Sequence, residues 1–141
     1  MSGMTAVDDF FIYALPVYSG LAAGATLSNQ VTIQADSDFV LEQVSYHANV
    51  ANAAFTVSSA PVPNVSLLLT DSGSGRQIMS APVPLAHFAS APGQSPPFSL
   101  RCPKSFVARS TITVALTSFE ASTAYNIYLS LIGRKTFSVA T

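Results

Sequence analysis

The chain predicts an all-β fold, a jelly-roll sandwich of about eight antiparallel strands with a long proline-rich loop. Three observations carry that prediction. Apolar and polar residues alternate with a period of two through much of the chain, as half-buried strands require. Val, Ile, Thr and aromatic residues fill those runs, and these types suit a pleated, half-buried surface. Turn residues separate the runs, and no window keeps a 3.6-residue apolar stripe long enough to argue a helix. Many short strands joined by turns make a sandwich or jelly roll.

The elements follow in order. An N-terminal arm, about residues 1–9, precedes a first strand over Phe10–Ala14. A second covers Gln30–Ile33, where Val31 and Ile33 alternate with Gln30, Thr32 and Gln34. The turn "ADSD" (Ala35–Asp38) leads into a strand over Phe39–His47, and "NVANAAF" (Asn49–Phe55) is the best candidate for a single helical turn. "NVSLLLT" places Val65, Leu67 and Leu69 on one face of a strand over Val65–Thr70. "DSGSG" (Asp71–Gly75) then reads as a hairpin loop into a strand over Gln77–Ser80. The last three strands are expected over Ser105–Val107, Thr111–Phe119 and Tyr125–Lys135. In the final two, Ile112, Val114 and Leu116 alternate with threonines, and Tyr125, Ile127, Leu129 and Leu131 lie opposite Asn126, Tyr128, Ser130 and Ile132.

Between the fifth and sixth of these strands lies the proline-rich segment, residues 81–105. It holds Pro82, Pro84, Pro92, Pro96, Pro97 and Pro103 out of nine prolines in the chain. Missing N–H donors bar such a segment from the middle of a sheet. It is too long for a neutral connector, and its Leu85, Phe88, Phe98 and Leu100 are unusual in a solvated loop. Two readings stand: a crossover folded over one open end of its own core, or an extended arm lying on a partner.

Composition narrows the functional classes. The 141 residues suit one domain, 1–141, large enough for a core without disulfide staples. The lone Cys102 can form no internal bridge, and no base lies near it in sequence. Charged residues make up 9%, against about 25% in an ordinary soluble domain. The longest apolar stretch, "FFIYALPVYSGLAAGA", is broken by Pro16, Ser19 and two glycines and is too short to span a bilayer. "MSGMTAVDDFF" lacks the basic start of a secretion signal. The expectation is therefore a chain made and kept in a cytoplasm, with no membrane, where the "NVS" sequon at Asn64 has no consequence. A net charge of −1 gives no footprint for nucleic acid. So little charge on a soluble domain implies a surface covered by a permanent partner.

Catalytic patterns are missing. His47 and His87 are forty residues apart with no companion ligands at metal-site spacing. Asp36 and Asp38 flank Ser37 in a turn, where backbone hydrogen bonding explains them better than acid–base work or calcium. "DSGSGR" lacks the lysine of a phosphate loop, and there is no Gly-x-Ser-x-Gly elbow. No enzyme and no cofactor are expected. A receptor- or carbohydrate-binding sandwich of a phage fibre or adhesin is the alternative. It would rely on Tyr13, Tyr18, Tyr46, Tyr125 and Tyr128 in the absence of tryptophan.

Two segments carry a family resemblance. "VTIQADSDFVLEQVSY" and "YNIYLSLIGRKTF" look like the strand–Asp-x-Asp-Phe–strand and closing strand–Gly–basic patterns of small virion proteins of tailed phages. In length and low charge the chain resembles the capsid cementing (decoration) proteins of Bordetella-type short-tailed bacteriophages. Asp36, Asp38, Phe39, Gly133, Arg134 and Lys135 match the pattern. The resemblance implies a non-enzymatic jelly roll that dimerises on the outer surface of the capsid in the virion. There it would bind the major capsid protein and staple its neighbouring subunits, with assembly in the host cytoplasm. The expected partner contacts are Leu85, Phe88, Phe98 and Leu100 of the loop, with Arg134 and Lys135 at the end of the last strand.

Overall fold

The structure, a computed structural model, describes residues 4–50, 63–72, 78–85, 89–90, 100, 102–120 and 124–140. Among them are ten strands and two sheets. They are β1 (Met4–Ala14), β2 (Tyr18–Leu21), β3 (Thr26–Thr32), β4 (Asp38–Val50), β5 (Val65–Asp71), β6 (Val83–Pro84), β7 (Ala89–Ser90), β8 (Lys104–Phe106), β9 (Thr111–Ser118) and β10 (Tyr125–Ala140).

The first sheet runs β1-β10-β4-β7, with β2 continuing the β1 edge along β10 and β8 continuing the β7 edge along β4. The second runs β3-β9-β5-β6. Pairing is antiparallel except for the two-residue β4–β7 contact. Partners are nested: β1 with β10, β3 with β9, β4 with β8, and β5 with β6. The chain is thus one long antiparallel ribbon, wrapped so that successive pairs alternate between sheets.

One hydrophobic core lies between the sheets and draws on both. Phe39, Leu41, Val44, Tyr46, Leu129 and Leu131 come from the first, and Leu67, Leu69, Ile112, Val114 and Leu116 from the second. Every second residue of β9 is buried, as its sequence alternation requires. Tyr18 ties the layers together: its buried hydroxyl donates to the Val114 carbonyl at 2.7 Å. The Tyr13 hydroxyl accepts from the Gln34 N–H at 3.0 Å, and its ring meets Phe39 edge-on with centroids 4.8 Å apart.

Several elements differ from expectation. Residues 4–9 are no arm; they form the first half of β1, in register with residues 135–140. Asp8 and Asp9 interrupt the apolar pattern but sit exposed at a sheet edge, where carboxylates stay hydrated. Strand β2 escapes the sequence because Gly20 interrupts it. This glycine has φ 63°, and its N–H donates to Asn126 Oδ1 at 2.8 Å. No strand forms over residues 78–80; β5 pairs instead with Val83–Pro84. A proline is tolerated there because β6 is the sheet's edge. Asn49 and Val50, expected in a helical turn, belong to β4, and the rest of that turn lies outside the described residues.

Candidate interaction surface

The two outer faces of the sandwich differ in chemistry. On the first sheet, register sets Phe10 beside Arg134 and Val40, Ile12 beside Ile132 and Gln43, and Ala14 beside Ser130 and Ser45. Phe10 is 73% exposed, the most exposed large hydrophobic side chain among the described residues. The Arg134 guanidinium lies between two acids, with Nε 3.7 Å from Asp8 and Nη1 3.5 Å from Glu42. Asp8, Phe10, Glu42, Gln43, Ile132, Gly133 and Arg134 line a shallow hollow of about 420 Å³.

A β-bulge builds this hollow. Gln43 pairs with Ile132 and Leu41 with Gly133, so Glu42 is the extra residue. The bulge reverses the alternation of β4: Phe39 and Leu41 are buried before it, and Val44, Tyr46 and Ala48 after it. It also brings β4 against β10 at Gly133, where a Cβ would lie 1.9 Å from the Val40 carbonyl oxygen. The Leu100 N–H donates to the Glu42 carbonyl at 2.7 Å, so the proline-rich segment docks on the same irregularity.

The outer face of the second sheet is hydroxyl-rich. Its rows are Thr26–Thr117–Ser66, Ser28–Ala115–Leu68, Gln30–Thr113–Thr70 and Thr32–Thr111. Thr26 and Thr117 share a 2.8 Å side-chain hydrogen bond. Among the described residues this face carries no charged side chain. At one corner a hollow of about 260 Å³ opens between Pro82, Pro84, Val65 and the 63% exposed Phe119.

The expected contact residues scatter across the fold. Leu85 is 1% exposed, so it belongs to the chain's own core and offers no surface. Leu100 packs partly buried against that core. Phe88, Phe98 and His87 lie outside the described residues. Arg134 is half-exposed on the outer face, but Lys135 points inward and is 7% exposed. Its ammonium donates to Gln34 Oε1 at 2.5 Å and to both Asp36 oxygens at 3.2 and 3.3 Å, and it sits 4.1 Å above the Phe11 ring centroid. Lys135 is therefore an internal brace of the fold.

Asp36 and Asp38 depart from the expected hydrogen bonding to their local backbone: within the turn Asp36 instead accepts from the Ser37 hydroxyl at 3.5 Å, and both carboxylates reach distant partners. Asp36 pairs with Lys135, and Asp38 accepts the Ala108 N–H, seventy residues away, at 2.9 Å. Lys104 and Asp71 form a further ion pair at 3.9 Å, joining β8 of one sheet to β5 of the other. His47 faces Tyr128 across the first sheet with ring centroids 6.0 Å apart. Burial pushes the Tyr18 hydroxyl well above the usual tyrosine range and also raises that of Tyr46. Among the described residues no three His, Cys, Asp or Glu side chains cluster as metal ligands, and no helix is long and apolar enough to cross a membrane. What the surfaces offer is area, hydroxyl groups and apolar side chains.

Searches for similar proteins found no matching family model, curated protein or solved structure. The functional reading therefore rests on the residues and their geometry.

Proposed function

We propose that the chain is a jelly-roll decoration protein, bound through the outer face of its second sheet to the outside of a tailed-phage capsid. It acts there without catalysis, cementing neighbouring major capsid subunits. Nested pairing supports the jelly-roll assignment: two Greek keys arise when a four-pair antiparallel ribbon wraps into two sheets. The uncharged hydroxyl face carries the functional reading. Desolvating such a face strips water from no fixed charge, and each hydroxyl can donate or accept. A protein repeated over a lattice gains its hold from many weak copies of one contact. It therefore uses broad neutral area in place of a few charged anchors.

Electron microscopy of the virion tests this. The expected result is density for the chain repeated over the shell, with the threonine face inward. A Thr113→Lys variant, charged at the centre of that face, should leave fewer copies per shell. Density confined to a tail fibre, or full occupancy by the lysine variant, would refute the proposal.

A further inference from the structure

The sandwich presents four lateral edges, and they are not equally protected. Among the described residues β6 and β7 have two residues each and β8 has three, with prolines at 82, 84 and 103 in or beside them. Short strands and prolines are the usual guards against edge-to-edge pairing. The β3 edge is polar on its outward positions. The β1 edge has neither of these two guards, and its only charges are Asp8 and Asp9: eleven residues long and without proline or lysine, it pairs among the described residues on one side only, with β10. An open strand of that length is a row of unpaired N–H and C=O groups. Phe10 and Ile12 stand exposed along it, at 73% and 44%.

We infer that the β1 edge is an interface between two copies of this chain, the β1 strands pairing antiparallel about a two-fold axis at Phe10. Symmetry restricts the register. Residues directly opposite in an antiparallel pair point to the same face, and a two-fold perpendicular to the sheet keeps each face on its own side. The axis must therefore pass through a residue, not between two. Centred on Asp9, it would set that carboxylate against its own copy, and like charges directly opposite are unfavourable. Centred on Phe10, it sets Phe10 against Phe10 of the second copy, Asp8 against Ile12, and Asp9 against Phe11. No carboxylate then faces another, residues 6–14 overlap, and the exposed phenylalanine gains an aromatic partner. The two first sheets become one continuous sheet, a β-augmentation in which the added strand is a second β1.

This pairing leaves the threonine face of the second sheet free, so it stands apart from the capsid proposal and is tested in solution. Sedimentation of the full chain should show a concentration-dependent dimer. Phe10→Asp, which places two carboxylates on the axis, should weaken it at least tenfold without lowering Tm, since the side chain is mostly exposed. Cross-linking reads the register. Opposite residues on paired strands lie about 4.5–5.5 Å apart between Cα atoms, within disulfide reach. In a Cys102→Ser background, oxidised Phe10→Cys should form covalent dimers on the order of a hundredfold faster than Val107→Cys, a half-exposed control away from the β1 edge. A chain that stays monomeric, a dimer indifferent to Phe10→Asp, or equal cross-linking at positions 10 and 107 would each overturn the inference. A monomer that still coats capsids would sink the pairing alone.

Discussion

Tyr18 shows how much one side chain can carry. It is fully buried and bridges the sheets through its bond to Val114. Its hydroxyl titrates well above an ordinary tyrosine because burial disfavours the phenolate. The raised value fixes the sign of the pH effect: this stabilisation is complete below about pH 10 and is lost as the pH rises above it. Stability should therefore fall by up to about 1.4 kcal/mol per pH unit from this group in that range. Tyr18→Phe should cost about 1 kcal/mol at pH 7, the net worth of a hydrogen bond, and flatten the alkaline slope. Tyr46 is raised by the same cause and acts in the same direction. Urea unfolding of both proteins from pH 8 to 11 checks this, and equal slopes would assign the alkaline loss elsewhere. Lys135 teaches a different lesson at this scale. Beside Arg134 in sequence it reads as half of a basic patch, yet neighbours on a strand face opposite sides. One guanidinium reaches solvent; the other cation closes a brace with Asp36 and Gln34.

At the scale of elements, Gly133 and the β4 bulge form one device. With a Cβ at position 133 the Val40 carbonyl would be overlapped at 1.9 Å, and backbone cannot step aside as a flexible side chain can. Gly133→Ala should destabilise the fold by about 3 kcal/mol or more, the upper range for overpacking. An unchanged Tm would show that β4 can abandon the bulge. The sequence held a trace of this bulge: Phe39 and Leu41 are odd-numbered, while Val44, Tyr46 and Ala48 are even. A change of parity within one strand signals an inserted residue. β9 and β10 were legible because both obey strict alternation across a half-buried sheet. β6 was not, since its two residues lie among prolines and take their strand character only from pairing with Ser66 and Leu67. Leu85 misled for the same reason. Of the two readings of its segment, an arm on a partner or a cover for its own core, the expected contact followed the first, but its side chain is buried in the chain's own core.

For the whole molecule, scarce charge has a measurable result. Of the ion pairs among the described residues, two involve a nearly buried partner and two join half-exposed groups on the outer face. Exposed pairs contribute at most about 1 kcal/mol, and salt screens them within about 10 Å at 0.1 M. The fold is held by its shared core, so Tm should move by less than about 3 °C between 50 and 500 mM sodium chloride. A larger fall would mean that the surface triad of Asp8, Arg134 and Glu42 matters more than its exposure suggests.

Nested pairing also dictates an order of assembly. Ser66 meets Pro84 across a loop of under twenty residues, whereas Met4 meets Ala140 only when nearly the whole chain has been brought together. Closure entropy grows with the enclosed length, and ladders so distant in sequence slow folding. The ribbon therefore zips from its bend outward, and the seam between β1 and β10 closes last. By that order β1 gains its partner only when the subunit is finished.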